Sequence, residues 1–101
     1  MIVVASDHAA VELKRRVVEL LAARGEPYTD LGPADDRSVD YPDYAHRLVA
    51  EITAGRAERG ILICGTGIGM SMAANRHPGI RAALCHDAYT AEMARRHNDA
   101  N

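Results

Sequence analysis

Apolar residues along this chain follow two alternating rhythms. Ile2-Val3-Val4-Ala5 is a continuous run of the length of a buried strand. From Ala10 the spacing lengthens, and Ala10, Leu13, Val17, Leu20 and Leu21 recur at helical intervals. Asp7 is placed to cap that helix and Gly25 to end it, with Lys14, Arg15 and Arg16 mainly on its solvent side. Pro27 to Leu31 predicts a short second strand, and Gly32 to Asp40 a polar loop. A second helix starts near Pro42, buries Tyr44, Ala45, Leu48, Val49 and Ile52, and stops at Gly55. Gly60 to Cys64 is a third apolar run of strand length, and Met70 to Arg76 suits a short helix. His77-Pro78-Gly79 makes a turn, Ile80 to Cys85 predicts a fourth strand, and a last helix runs from Asp87 to His97.

Strands alternating with helices predict an α/β fold with helices on both faces of a parallel four-stranded sheet. Residues 1–101 are expected to form one domain. The edge beside the fourth strand would be bare, so we expect a chain that lacks a C-terminal strand and helix. Composition narrows the picture. The apolar share is 48%, yet the aromatics are four tyrosines alone, so the core must be aliphatic. A net charge of −2 with scattered basic residues argues against a nucleic-acid surface. No apolar run approaches membrane-spanning length, and no export signal precedes Met1-Ile2-Val3-Val4. Two cysteines in such a chain read as reduced thiols in a cytoplasm.

In open parallel sheets, ligands bind beyond the carboxyl ends of the strands. Asp7-His8, Cys64 to Gly69 and Cys85-His86 all fall at that edge. The richest of these is Cys64-Gly65-Thr66-Gly67-Ile68-Gly69, where a strand ends in a thiol that opens onto a glycine-rich turn and a helix. Such a turn aims backbone N–H groups at a ligand, and a helix N-terminus favours negative charge and thiolates there. A base beside an anion-stabilising cradle is one reading; a small core cysteine in an ordinary strand-to-helix turn is the other. Nucleotide binding fits less well, since the third glycine of a dinucleotide fingerprint is misplaced and no Gly-Lys-Ser/Thr follows. Asp7 either caps its helix or joins His8 in holding a hydroxyl or phosphate. Tyr41 is open between packing and a site role, and the macrodipole alone explains His97-Asn98 at a helix end. His46 and His77 read as a helix face and a turn. No group has metal-ligand spacing, so no metal is expected.

The chain closely resembles the type B ribose-5-phosphate isomerases, a family that also includes galactose-6-phosphate and allose-6-phosphate isomerases. The resemblance is carried by Ser6-Asp7-His8, Asp40-Tyr41-Pro42-Asp43-Tyr44-Ala45, the run Gly60 to Gly69, Ala73-Ala74-Asn75, Gly79-Ile80-Arg81-Ala82, and Ala94 to Asn101. It implies a Rossmann-like three-layer sandwich of about five parallel strands and an intramolecular oxidoreductase of the pentose phosphate pathway. Aldose and ketose phosphates are interconverted through a cis-enediolate without a cofactor. Cys64 matches the base, Gly65, Thr66, Gly67, Ile68 and Gly69 the loop that holds the enediolate oxygen, and His97 the ring-opening histidine. Asn98, Asp7, His8 and Tyr41 match sugar or phosphate contacts. The resemblance further implies a homodimer, or a tetramer, with His97-Asn98 reaching the partner's site. Ribose 5-phosphate is the expected substrate; a six-carbon sugar phosphate, or a non-catalytic sugar-phosphate-binding subunit, is the alternative. The family's phosphate-gripping arginines lie beyond the point reached by this chain.

Overall fold

The computed structural model describes all 101 residues. Three strands form one parallel sheet: β1 (Ile2–Ser6), β2 (Tyr28–Asp30) and β3 (Arg59–Ile63), in the order β2-β1-β3. Four helices follow the strands: α1 (Val11–Ala23), α2 (Tyr41–Thr53), α3 (Ile68–Asn75) and α4 (Ala88–Asn98), with a 3-10 turn over His8–Ala10 ahead of α1. Central β1 pairs Val3 with Gly60 and Ser6 with Ile63 on one side, and Ile2 with Tyr28 on the other. Its buried residues Val3 to Ser6 explain why the chain begins with an unbroken apolar run: a strand covered on both faces has no polar side.

Val3 and Ala5 meet Leu48 of α2 and Ala57, forming the main core cluster. Alternate residues point the other way, toward the face where α1 packs on β1 and β2. A second cluster joins Ala45 of α2 to Met70 and Ala73 of α3. It anchors the helix that follows Cys64.

Two expectations need correction. The first concerns α1. Lys14 is only 4% exposed, and its Nζ lies 2.8 and 2.7 Å from the two carboxylate oxygens of Asp30. Leu13, expected in the core, is 53% exposed and Leu20 57%.

The second concerns the sheet, which has three strands rather than four. Ile80 to Cys85 takes no regular secondary structure and joins no ladder. Its backbone is held otherwise. Asn75 of α3 makes a paired contact with Ala82, its Nδ2 donating to the carbonyl and its Oδ1 accepting the N–H, both at 2.8 Å. Asn101 then stands between this segment and β3: its N–H donates to Arg81 O (3.1 Å), while Gly60 N–H donates to Asn101 O (2.8 Å). The opening thus lies inside the sheet, between β3 and Ile80–Cys85, and not beyond a fourth strand.

Candidate active site

Beyond the carboxyl end of β3 the chain turns sharply. Gly67, at φ +80°, is the N-cap of α3, a left-handed position that glycine fills without strain. The turn folds Cys64 back on the helix start, so Gly67 N–H donates to Cys64 Sγ at 3.0 Å. Thr66 Oγ1 accepts from Ile68 N–H at 3.2 Å. Two amides of the expected cradle are therefore already engaged by Cys64 and Thr66. The N–H groups of Gly65, Thr66, Gly69 and Met70 have no acceptor within the protein. They are the donors left for a ligand, at the end of a helix whose dipole favours an anion.

Asp7 lies beside this turn, because its N–H donates to Ile63 O at 3.0 Å, extending the β1–β3 pairing by one rung. Its carboxylate accepts from Ala10 N–H at 3.0 Å, so the capping role is realised. His8 is fixed by the polar loop: Val39 N–H donates to His8 Nδ1 at 3.1 Å, which leaves the proton of the neutral ring on Nε2. Tyr41 opens α2, and its ring covers Gly69 so closely that a Cβ there would sit 2.7 Å from Tyr41 Cζ. Glycine at 69 thus lets the Tyr41 ring lie directly on the turn.

The structure brings Cys64, the 65–69 turn, Asp7 and Tyr41 to one sheet edge. It does not bring His97 and Asn98 to Cys64. They sit exposed on the last turn of α4, where Asn98 O accepts from Arg81 Nε at 2.6 Å. Cys64 and Cys85 are both free thiols. Electrostatics at the α4 entry are set by Asp87, whose carboxyl is held below its ordinary value by Thr90, through the backbone N–H and the hydroxyl. Sequence reasoning missed one contact altogether. His46 Nδ1 and His77 Nε2 are 2.8 Å apart, tying α2 to the turn after α3.

A family model described as Ribose/Galactose Isomerase matches residues 2–101. This chain belongs to that family. It is an isomerase, and its α/β class agrees with solved relatives. A crystal structure of ribose 5-phosphate isomerase from Thermotoga maritima superposes with a TM-score of 0.97 at 54% identity, covering 99% of this chain and 69% of that one. Ribose-5-phosphate isomerase B of Escherichia coli is 43% identical over 95 residues, 94% of this chain and 64% of that protein. D-erythrulose-4-phosphate isomerase of Pectobacterium atrosepticum is 45% identical over 101 residues, 98% of this chain and 66% of that protein. The chain thus spans about two thirds of these relatives. No helix is long and apolar enough to cross a membrane.

Proposed function

We propose that this protein interconverts ribose 5-phosphate and ribulose 5-phosphate through a cis-enediolate, with Cys64 as the base. The observation that carries this reading is the adjacency of the Cys64 sulfur to the unengaged amides of Gly65, Thr66 and Gly69. Removing a proton beside a carbonyl drives charge onto oxygen, and each preorganised donor aimed at that oxygen contributes about 3 to 4 kcal/mol. The Cys64 thiolate takes the C2 proton of the open-chain aldose, and the electron pair moves onto the carbonyl oxygen. The thiol then returns a proton to C1 while the O2 hydroxyl proton passes to O1, giving the ketose. Gly67 N–H holds the sulfur at the mouth of the turn. Thr66 keeps the turn closed through Ile68. The Nε2–H of His8, with Asp7 and Tyr41, is suited to hold hydroxyls or the phosphate. His97 and Asn98, exposed on α4, would serve ring opening and binding at the site of a second subunit, which supports a homodimeric assembly. The enzyme would work in the cytoplasm, on a phosphorylated sugar and without a cofactor.

Proton NMR of ribose 5-phosphate in D2O tests the reading. Exchange at C2 and appearance of ribulose 5-phosphate are expected, falling by about a hundredfold or more in Cys64→Ala, the range for loss of a general base. A near-normal rate in that variant removes Cys64 from the mechanism. One relative is named for a four-carbon sugar phosphate, so erythrulose 4-phosphate and allose 6-phosphate belong in the same assay. A higher kcat/KM on either would replace the ribose assignment. Tight binding with no carbon–hydrogen exchange would instead identify a sugar-phosphate-binding subunit.

A further inference from the structure

The Cys64 turn hinges on Gly67, whose N–H donates to Cys64 Sγ at 3.0 Å and which caps the start of α3. Its positive φ already favours glycine. A neighbouring side chain makes a second demand. A Cβ built at Gly67 would fall 2.5 Å from Leu84 Cδ1, and no other side chain beyond its two chain neighbours comes within 4 Å of that point. One methyl of Leu84 thus rests on Gly67.

Core packing does not account for that contact. Leu84 is 43% exposed and belongs to neither core cluster. Its place is set from the far end of α3. Asn75, the last residue of the helix, holds Ala82 through two bonds of 2.8 Å, one to the carbonyl and one from the N–H. Asn75 stands about 10 Å along the axis from Ile68. Two residues of chain, from Ala82 to Leu84, cover at most about 7 Å of that distance. The Leu84 side chain closes the remainder. One short segment therefore grips α3 at both ends, by a polar clasp at Asn75 and an apolar one at Gly67.

We propose that Leu84 is a positioning residue for the Cys64 sulfur. Its methyl holds the Gly67 peptide in the left-handed turn with the N–H aimed at Sγ, and it keeps water from that side of the bond. A hydrogen bond covered by apolar atoms is electrostatically stronger than one in water. Leu84 moves no proton; it acts through Gly67, and its role in turnover rests on Cys64 being the base.

Solvent exchange of the Gly67 N–H, read by NMR on the chain as it stands, tests the contact without turnover. Leu84→Ala should speed that exchange about tenfold and leave Leu31 N–H, which donates to Val4 O, unchanged. Leu84→Met, which keeps an apolar side chain of similar reach, should restore the native rate. Cys64→Ala removes the acceptor, so adding Leu84→Ala to it should change Gly67 exchange no further. An unchanged Gly67 overturns the proposal, as does equal acceleration at Leu31 or additivity with Cys64→Ala. Turnover is the second arm: Leu84→Ala should lower kcat on ribose 5-phosphate about tenfold with KM little changed, and Leu84→Met should recover it. A full rate in Leu84→Ala beside a rate lost in Cys64→Ala overturns the positioning role and spares the base. A full rate in both removes Cys64 from the mechanism, and the positioning role with it.

Discussion

Gly60 sits in β3 where α2 crosses the sheet, and it sets a sharp test of the packing that positions Cys64. A Cβ built at this residue falls well inside van der Waals contact of Leu48 Cδ2, and 3.1 Å from both Leu48 Cγ and Ile52 Cδ1. Leu48 cannot step aside cheaply, being 3% exposed and packed on Val3, Ala5 and Ala57. Overpacking of this kind costs about 1 to 3 kcal/mol. The lower backbone entropy of alanine in the unfolded chain returns about 0.5 to 1 kcal/mol. Gly60→Ala should therefore destabilise by about 1 to 2 kcal/mol. Leu48→Ala alone should cost about 2 to 5 kcal/mol through its cavity. In the double variant the new methyl enters the space vacated by Leu48, so the severe clash disappears, only the 3.1 Å approach to Ile52 Cδ1 is left, and the entropic gain remains. The pair should be more stable than Leu48→Ala alone, with a coupling of about 2 kcal/mol, typical of residues in direct contact. Urea unfolding of the four proteins measures this directly. Additive effects, or a neutral Gly60→Ala, would refute the argument that β3 and α2 are locked at this point.

Three further outcomes follow from single contacts. Lys14→Ala strands Asp30, whose side chain is 36% exposed and partly rehydrated, so a loss of about 1 to 3 kcal/mol is expected by denaturant unfolding; Lys14→Met with Asp30→Asn should recover part of it. Gly69→Ala pushes the Tyr41 ring outward; Tyr41 is 41% exposed and can move, so Tm should change little while turnover falls about tenfold or more. Unchanged turnover would remove the Tyr41 ring from the site. The Asp87 carboxyl is held low by Thr90, so its contribution is present above the ordinary carboxylate value and is lost as pH falls through the lowered one. Acid titration followed by amide exchange at Thr90 should show that loss in the native chain, and its absence in Asp87→Asn, which keeps the cap without a charge.

Much of the fold is legible because local chemistry and tertiary packing agree. The buried run Ile2–Ala5, the α2 stripe of Ala45, Leu48 and Val49, and the glycine turn after Cys64 each specify their element without help from distant residues. Where they diverge, the reading fails for identifiable reasons. In α1 the buried ridge is Ala10, Lys14 and Leu21, a proper helical stripe with a lysine in it. Charge makes Lys14 look solvated, and only the carboxylate of Asp30 on β2 makes its burial affordable. The signal was the spacing, outweighed by residue type. Ile80–Cys85 has strand composition, but a strand exists by its ladder, and this backbone is bonded to Asn75 and Asn101 instead of to a neighbouring strand.

The candidate site divides along the same line. Its Cys64–Gly69 half is readable because thiol, turn and helix start are contiguous, so chain connectivity enforces their geometry. Even there, sequence alone does not reveal that Cys64 and Thr66 engage the amides of Gly67 and Ile68, leaving Gly65, Thr66, Gly69 and Met70 as the open donors. The other half, His97 and Asn98, is carried on α4, whose end is fixed by Asn101 bonding to Arg81 and Gly60 across the opening beside β3. Asn101 therefore ties the carrier of His97 and Asn98 to β3, the strand that leads into Cys64.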